Sequence, residues 1–169
     1  MIRAMIHGIV FSTLLFIFAC KKEIGSSIAT NTALTFSLST PSEIVQGNAL
    51  TVAIEVENAD SLFALSFELH YDSALFETDT IIAGDLFTDP YLPSNSDFLS
   101  DGEVPVVLGE LGTVQGSASG TACSIILKSE KKGTDLLYIR SLHMIKRDGS
   151  DIDGFNALSV ETIKVKIIE

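Results

Sequence analysis

Few residues of this chain could do chemistry. Beyond the N-terminal segment there are two histidines, His70 and His143. They lie far apart and match no zinc-ligand spacing, and no nucleophile stands beside either in sequence, so zinc and a histidine general base are not expected. Both are expected on strand surfaces. Gly116-Ser-Ala-Ser-Gly120 has the outline of a nucleophile elbow, but its central position is Ala118 and no helix follows, so it reads as a turn. Asp148, Asp151 and Asp153 in D-G-S-D-I-D-G are the one candidate calcium set. Placing Gly154 at the invariant glycine of an EF-hand loop puts Gly149 first and Val160 twelfth, where carboxylates are needed. An Asp/Gly hairpin turn is the better reading. Acids such as Glu55 and Glu57 alternate along a strand and read as a solvated face rather than a glycosidase pair. No catalytic residue, cofactor or metal is expected.

Two cysteines remain, Cys20 and Cys123. Cys123 shares a parity with Thr121, Ile125 and Leu127, which reads as a small buried hydrophobe with no cation beside it to make a thiolate. Cys20 is different. Arg3 gives a positive start, Ile9 to Phe18 is an apolar run interrupted only by Ser12 and Thr13, and Ala19-Cys20 is followed by Lys21-Lys22-Glu23. The run is short for a membrane span and reads as an export signal, residues 1–19. Its end resembles the lipobox of bacterial lipoproteins, which implies cleavage before Cys20, lipid on its sulfur, and a place on the outer membrane or cell surface. Residues 20–33 are polar and Ser/Thr-rich, a linker of about 20 Å on average and about 40 Å stretched.

The elements that must position any site begin near Leu34. Leu34, Phe36 and Leu38 alternate with polar residues, as do Leu50, Val52, Ile54 and Val56. The clearest stretch is Ser61 to Ile82. Phe63, Leu65, Phe67, Leu69 and Tyr71 alternate with Ala64, Ser66, Glu68, His70 and Asp72, which predicts a strand with one buried face and one wet face. Asp72-Ser73 then turns the chain. Asp85 to Glu103 is a long irregular segment, with a short strand expected near Asp97 to Leu99. Strands follow at Val104–Leu108, Thr121–Lys128, Leu136–Lys146 and Ile163–Ile167, and Pro105 favours an edge or bulge. No segment has a helical period. Eight or nine strands separated by short turns predict an all-β antiparallel sandwich over residues 34–169. The net charge of −11 argues against nucleic acid as a partner.

Phe67 to Asp72, Leu75, and Gly84-Asp85-Leu86-Phe87 carry a resemblance. In order and spacing they are similar to cohesin domains, the receptor modules of cellulosome-like assemblies. The resemblance covers essentially the whole domain. It implies a nine-stranded jelly-roll, no catalysis, and a protein carrying a dockerin module as partner, with polysaccharide degradation as the setting. It implies a binding face on the strands matching Phe63–Tyr71 and Val104–Leu108. The outward residues there are Ala64, Ser66, Glu68 and His70 on one strand and Pro105 and Val107 on the other, with Glu110 just beyond. Cohesins of the best-known class carry Asn and Asp where Ala64 and Ser66 stand, and Glu110 matches an acidic position used in that class. A carbohydrate-binding module or a surface adhesin is the alternative. A sugar platform needs exposed aromatics; the chain has no Trp and three Tyr, of which Tyr91 is expected to be exposed.

Overall fold

The computed structural model describes residues 34–58, 62–93, 102–112, 119–152 and 162–169. The signal, the linker, the strand expected at 97–99, Asp153 and the Gly116–Ala118 turn lie outside those residues.

Ten strands form two sheets. β1 is Thr35–Ser39, β2 Glu43–Val45, β3 Ala49–Glu57, β4 Leu62–His70, β5 Phe76–Ala83, β6 Pro90–Tyr91, β7 Glu103–Glu110, β8 Gly120–Ser129, β9 Gly133–Lys146 and β10 Ile163–Ile168. One sheet has the order β1-β3-β8-β5, the other β2-β10-β9-β4-β7-β6. The all-β sandwich expected from the alternation is present, with two differences. The two- and three-residue strands β6 and β2 are too short to show a period in sequence. The β2–β10 pair is parallel, so the sandwich is not wholly antiparallel.

Alternation decides which side chains reach the core. Val52, Ile54 and Val56 of β3 and Ile125 and Leu127 of β8 meet Leu65, Phe67 and Leu69 of β4 and Val104, Val106 and Leu108 of β7. All are at most 2 % exposed. Phe36 and Phe67 join the sheets edge-on, with centroids 5.8 Å apart. Cys123 is in this layer, and burial pushes its thiol up to about 12, so it stays an uncharged packing residue near neutral pH.

Turns are tied by carboxylates that accept backbone N–H groups from distant parts of the chain. Asp135 accepts the Asp72 N–H at 2.8 Å, fixing the turn that ends β4. The Gly84–Phe87 stretch has a structural reason at each position. A Cβ on Gly84 would collide with the Thr121 carbonyl. Asp85 accepts the Thr121 N–H at 2.8 Å, and Leu86 and Phe87 are buried. This part of the long segment is therefore well held.

Two irregularities set the face of β9. Glu68 pairs with Arg140 but Ser66 pairs with His143, so β9 has one extra residue there. Ser141 takes up the bulge with φ 53°. A second irregularity lies between Leu62 and Ala64. Phe63, expected in the core, is instead half-buried under the Arg147 guanidinium, 4.9 Å from its ring centre, and Leu62 takes the core position.

Candidate partner-binding face

The outer face of the six-stranded sheet is where the expected residues meet. β4 and β7 pair so that Ala64 faces Gly109, Ser66 faces Val107, Glu68 faces Pro105 and His70 faces Glu103. Side chains that are cross-strand partners point to the same side, so Ala64, Ser66, Glu68, His70, Pro105 and Val107 share one surface. Among the described residues β6 pairs with β7 at Gly109 and Glu110 and not at Pro105, whose missing N–H is tolerated where no ladder bond is required of it. Val107 is 52 % exposed, a large aliphatic group in water at the centre of the face.

Glu110 is not on that surface. It has the inward parity of Val104, Val106 and Leu108, and is 3 % exposed. Its carboxylate accepts backbone N–H groups from Thr88 at 2.7 Å, Asp89 at 2.9 Å and Gly112 at 3.0 Å. Burial pushes its pKa up, but these three donors and the Arg147 charge outweigh that, and the carboxyl lies below its ordinary value. Counting along the strand explains the correction: Glu110 is an odd number of residues from Pro105 and Val107, so it cannot share their side. Its role is positional. It holds Thr88 and Asp89, and thereby sets β6, which places Tyr91 opposite Gly109 at the rim of the face. Tyr91 is exposed there, as expected.

β9 supplies the residues that sequence reasoning missed. Because of the bulge at Ser141, both Arg140 and His143 face outward, and Ile145 follows two residues on. Ala64, Leu65, Ser66, Val107, His143 and Ile145 line a shallow hollow of about 120 Å³. A Cβ at Gly109 would stand 3.3 Å from the Ala64 Cβ, so the glycine keeps this end of the face low. Only a one-residue offset in β9 could have revealed His143 and Ile145, and no sequence pattern marks it.

The lower half of the face is polar. The His70 ring stacks on Tyr138 at 5.0 Å, and Arg140 lies 5.1 Å from the Tyr138 ring centre. Glu68 and Glu103 approach the two ring nitrogens of His70 at 3.6 and 4.0 Å. The Glu68 carboxylate also accepts the Ser141 hydroxyl at 2.8 Å. At the hairpin after β9, Asp148 accepts the Ser150 N–H and hydroxyl, which lowers its pKa, and Asp151 pairs with His143 Nε2 at 2.8 Å. Asp148 and Asp151 thus serve the turn and the face. Among the described residues no group of three acidic, histidine or cysteine side chains is arranged to hold a metal.

The family model for the Cohesin domain matches residues 34–143, most of the described chain. The chain belongs to the cohesin domain family. Solved structures agree in fold. A non-cellulosomal cohesin from the hyperthermophilic archaeon Archaeoglobus fulgidus superposes with a TM-score of 0.66 at 15% identity, over 81% of this chain and 92% of that one. The cohesin module of a family 33 glycoside hydrolase from Clostridium perfringens gives 0.66 at 16%, over 80% and 96%. The cohesin of a type I cohesin–dockerin complex from Clostridium thermocellum gives 0.62 at 18%, over 80% and 99%. No curated protein matches in sequence. The two sheets described above are the cohesin jelly-roll.

Proposed function

We propose that this cohesin is a non-catalytic receptor that binds dockerin-bearing proteins through the outer face of its six-stranded sheet. Relatives of this fold have been solved in complex with dockerins, among them the Clostridium thermocellum module. The observation that carries the reading is the hollow around Val107. It is an exposed aliphatic centre bounded by Ala64 and Ile145 and rimmed by Ser66, Glu68, His70 and His143. Interfaces with a dry centre and a hydrogen-bonding rim have this layout. Ala64 and Ser66 are shorter than the Asn and Asp of the best-known cohesin class, so the preferred dockerin presents bulk rather than hydrogen-bonding groups at that point.

The sequence supports a lipid anchor at Cys20, with residues 20–33 as tether and the domain displayed at the cell surface. Its bound partners would then be held there, polysaccharide-degrading enzymes among them.

Titration of the purified protein with a panel of dockerin modules from its own organism tests the binding. Val107→Asp should weaken binding by at least about 2 kcal/mol, the scale of a central hot spot. Thr51→Asp, on the outer face of the other sheet, should change little. Equal affinity of wild type and Val107→Asp, both folded by circular dichroism, would place the site elsewhere, with Tyr91 and its loop the next candidate.

A further inference from the structure

Charge is unevenly distributed along this domain. Residues 34–127 hold fourteen acids and no lysine or arginine; all eight bases of the domain fall from Lys128 onward. The topology turns this asymmetry in sequence into one in space. β9 and β10 lie together on one side of the six-stranded sheet, and β4 and β7 on the other. On the outer face Arg140 stands across from Glu68, Lys164 from Leu136, and Lys166 from Thr134. Lys132, in the turn before β9, shares a hollow of about 420 Å³ with Lys166 and Ile168. A cationic strip therefore runs along β9 and β10, with Leu136, 53 % exposed, set within it. Glu68 and Glu103 face it from β4 and β7.

The strip's charge is available to a partner. Lys132 pairs with Glu169 and Lys166 with Glu43, but all four side chains are more than half exposed. Such pairs contribute about 0–1 kcal/mol and exchange readily. Among the described residues Lys164 has no ion pair.

We propose that the β9–β10 strip seats an acidic segment of the protein partner, whose carboxylates meet Lys164, Lys166 and Lys132 while its apolar centre fills the Val107 hollow. This rests on the reading of the outer face as the partner interface. The chain as a whole is negative, yet at physiological salt that repulsion is screened beyond about 8 Å, and the local sign of the surface decides contact. A basic segment would be repelled from β10 and drawn to Glu68 and Glu103. The partner's surface is therefore charge-polarised, acidic toward β10 and basic or neutral toward β7, and this fixes its orientation. A peptide fits better than an acidic polysaccharide. The strip is interleaved with aliphatic Leu136 and Ile168, and its one aromatic ring, Tyr138, is engaged by His70 and Arg140.

The test compares Lys164→Glu/Lys166→Glu with Lys128→Glu, a reversal on the four-stranded sheet, by calorimetric titration with a dockerin module that binds the wild type. The double reversal should weaken binding about tenfold or more at about 20 mM ionic strength and much less at about 0.5 M, with Lys128→Glu unchanged. Wild-type affinity of the double reversal, alongside loss in Val107→Asp, would remove the strip from the interface and leave the hollow in it. If no dockerin module binds, the reading of the face fails separately, and NMR titration of the isotope-labelled protein decides the strip. A Glu-rich synthetic peptide should shift the amides of Lys164, Lys166 and Leu136, and a Lys-rich peptide of equal length should not. Shifts with polygalacturonate alone, or with none of the three, would overturn the proposal.

Discussion

Glu110 shows how one buried side chain can shape the candidate face from behind it. Its buried carboxylate gathers three backbone donors of the neighbouring loops, and hydrogen bonds to a charged acceptor contribute more than neutral ones. Glu110→Gln keeps the shape but offers a weaker acceptor and introduces an unwanted donor. The variant should melt several degrees lower at pH 7, and the amide signals around Thr88 to Tyr91 should broaden or shift. The sign of the pH dependence follows from the lowered pKa. The wild-type carboxylate contributes stability above the unfolded value of about 4.5 and loses it as pH falls through the lower folded value. The gap between wild type and Glu110→Gln should therefore shrink as pH falls below about 4.5; a gap that stays constant from neutral pH through that range and further into acid would show that the charge is not what stabilises.

At the scale of the strand pair, β4 and β9 carry the face, and the bulge at Ser141 is what points it outward. Ser141 sits at φ 53°, tolerable for serine and poor for a β-branched residue. Ser141→Val should cost roughly 1–3 kcal/mol in denaturant unfolding and Ser141→Gly little. Deleting Ser141 is the sharper experiment, since a one-residue slip exchanges the two faces of a strand. Met144 would be driven outward and His143 and Ile145 inward, with loss of dockerin binding or of the fold. Retention of both would mean that the bulge can migrate. On the inner side of the same strand, Phe67 is 2 % exposed and spans to Phe36. Phe67→Ala should cost about 3–5 kcal/mol, read from the same unfolding curves.

For the whole molecule the question is where the face is displayed. The Ile9–Phe18 run and Ala19-Cys20 support lipidation, and each buried methylene of an acyl chain contributes about 0.8 kcal/mol to membrane binding. Two or three chains hold a protein firmly. Cys20→Ala should appear in the soluble fraction, while the wild type stays with membranes after a high-salt wash. A variant that still sediments with membranes would locate the attachment elsewhere in the chain.

The alternation of Phe63 to Tyr71 and of Leu50 to Val56 determined the strands, the two-layer class and most of the core, because burial of one strand face leaves a period of two in the residues themselves. The outward set Ala64, Ser66, Glu68, His70, Pro105 and Val107 was legible for the same reason. What depended on tertiary structure was everything that breaks the period or joins distant residues. The bulges at Phe63 and Ser141 moved one aromatic out of the core and brought His143 and Ile145 to the face. Glu110 went to the inner side, where donors from a loop some twenty residues earlier in the chain receive it. The parallel β2–β10 pair joins residues more than a hundred positions apart. Such pairings are set by how the sheets close on each other, and a local pattern of hydrophobicity carries no record of them.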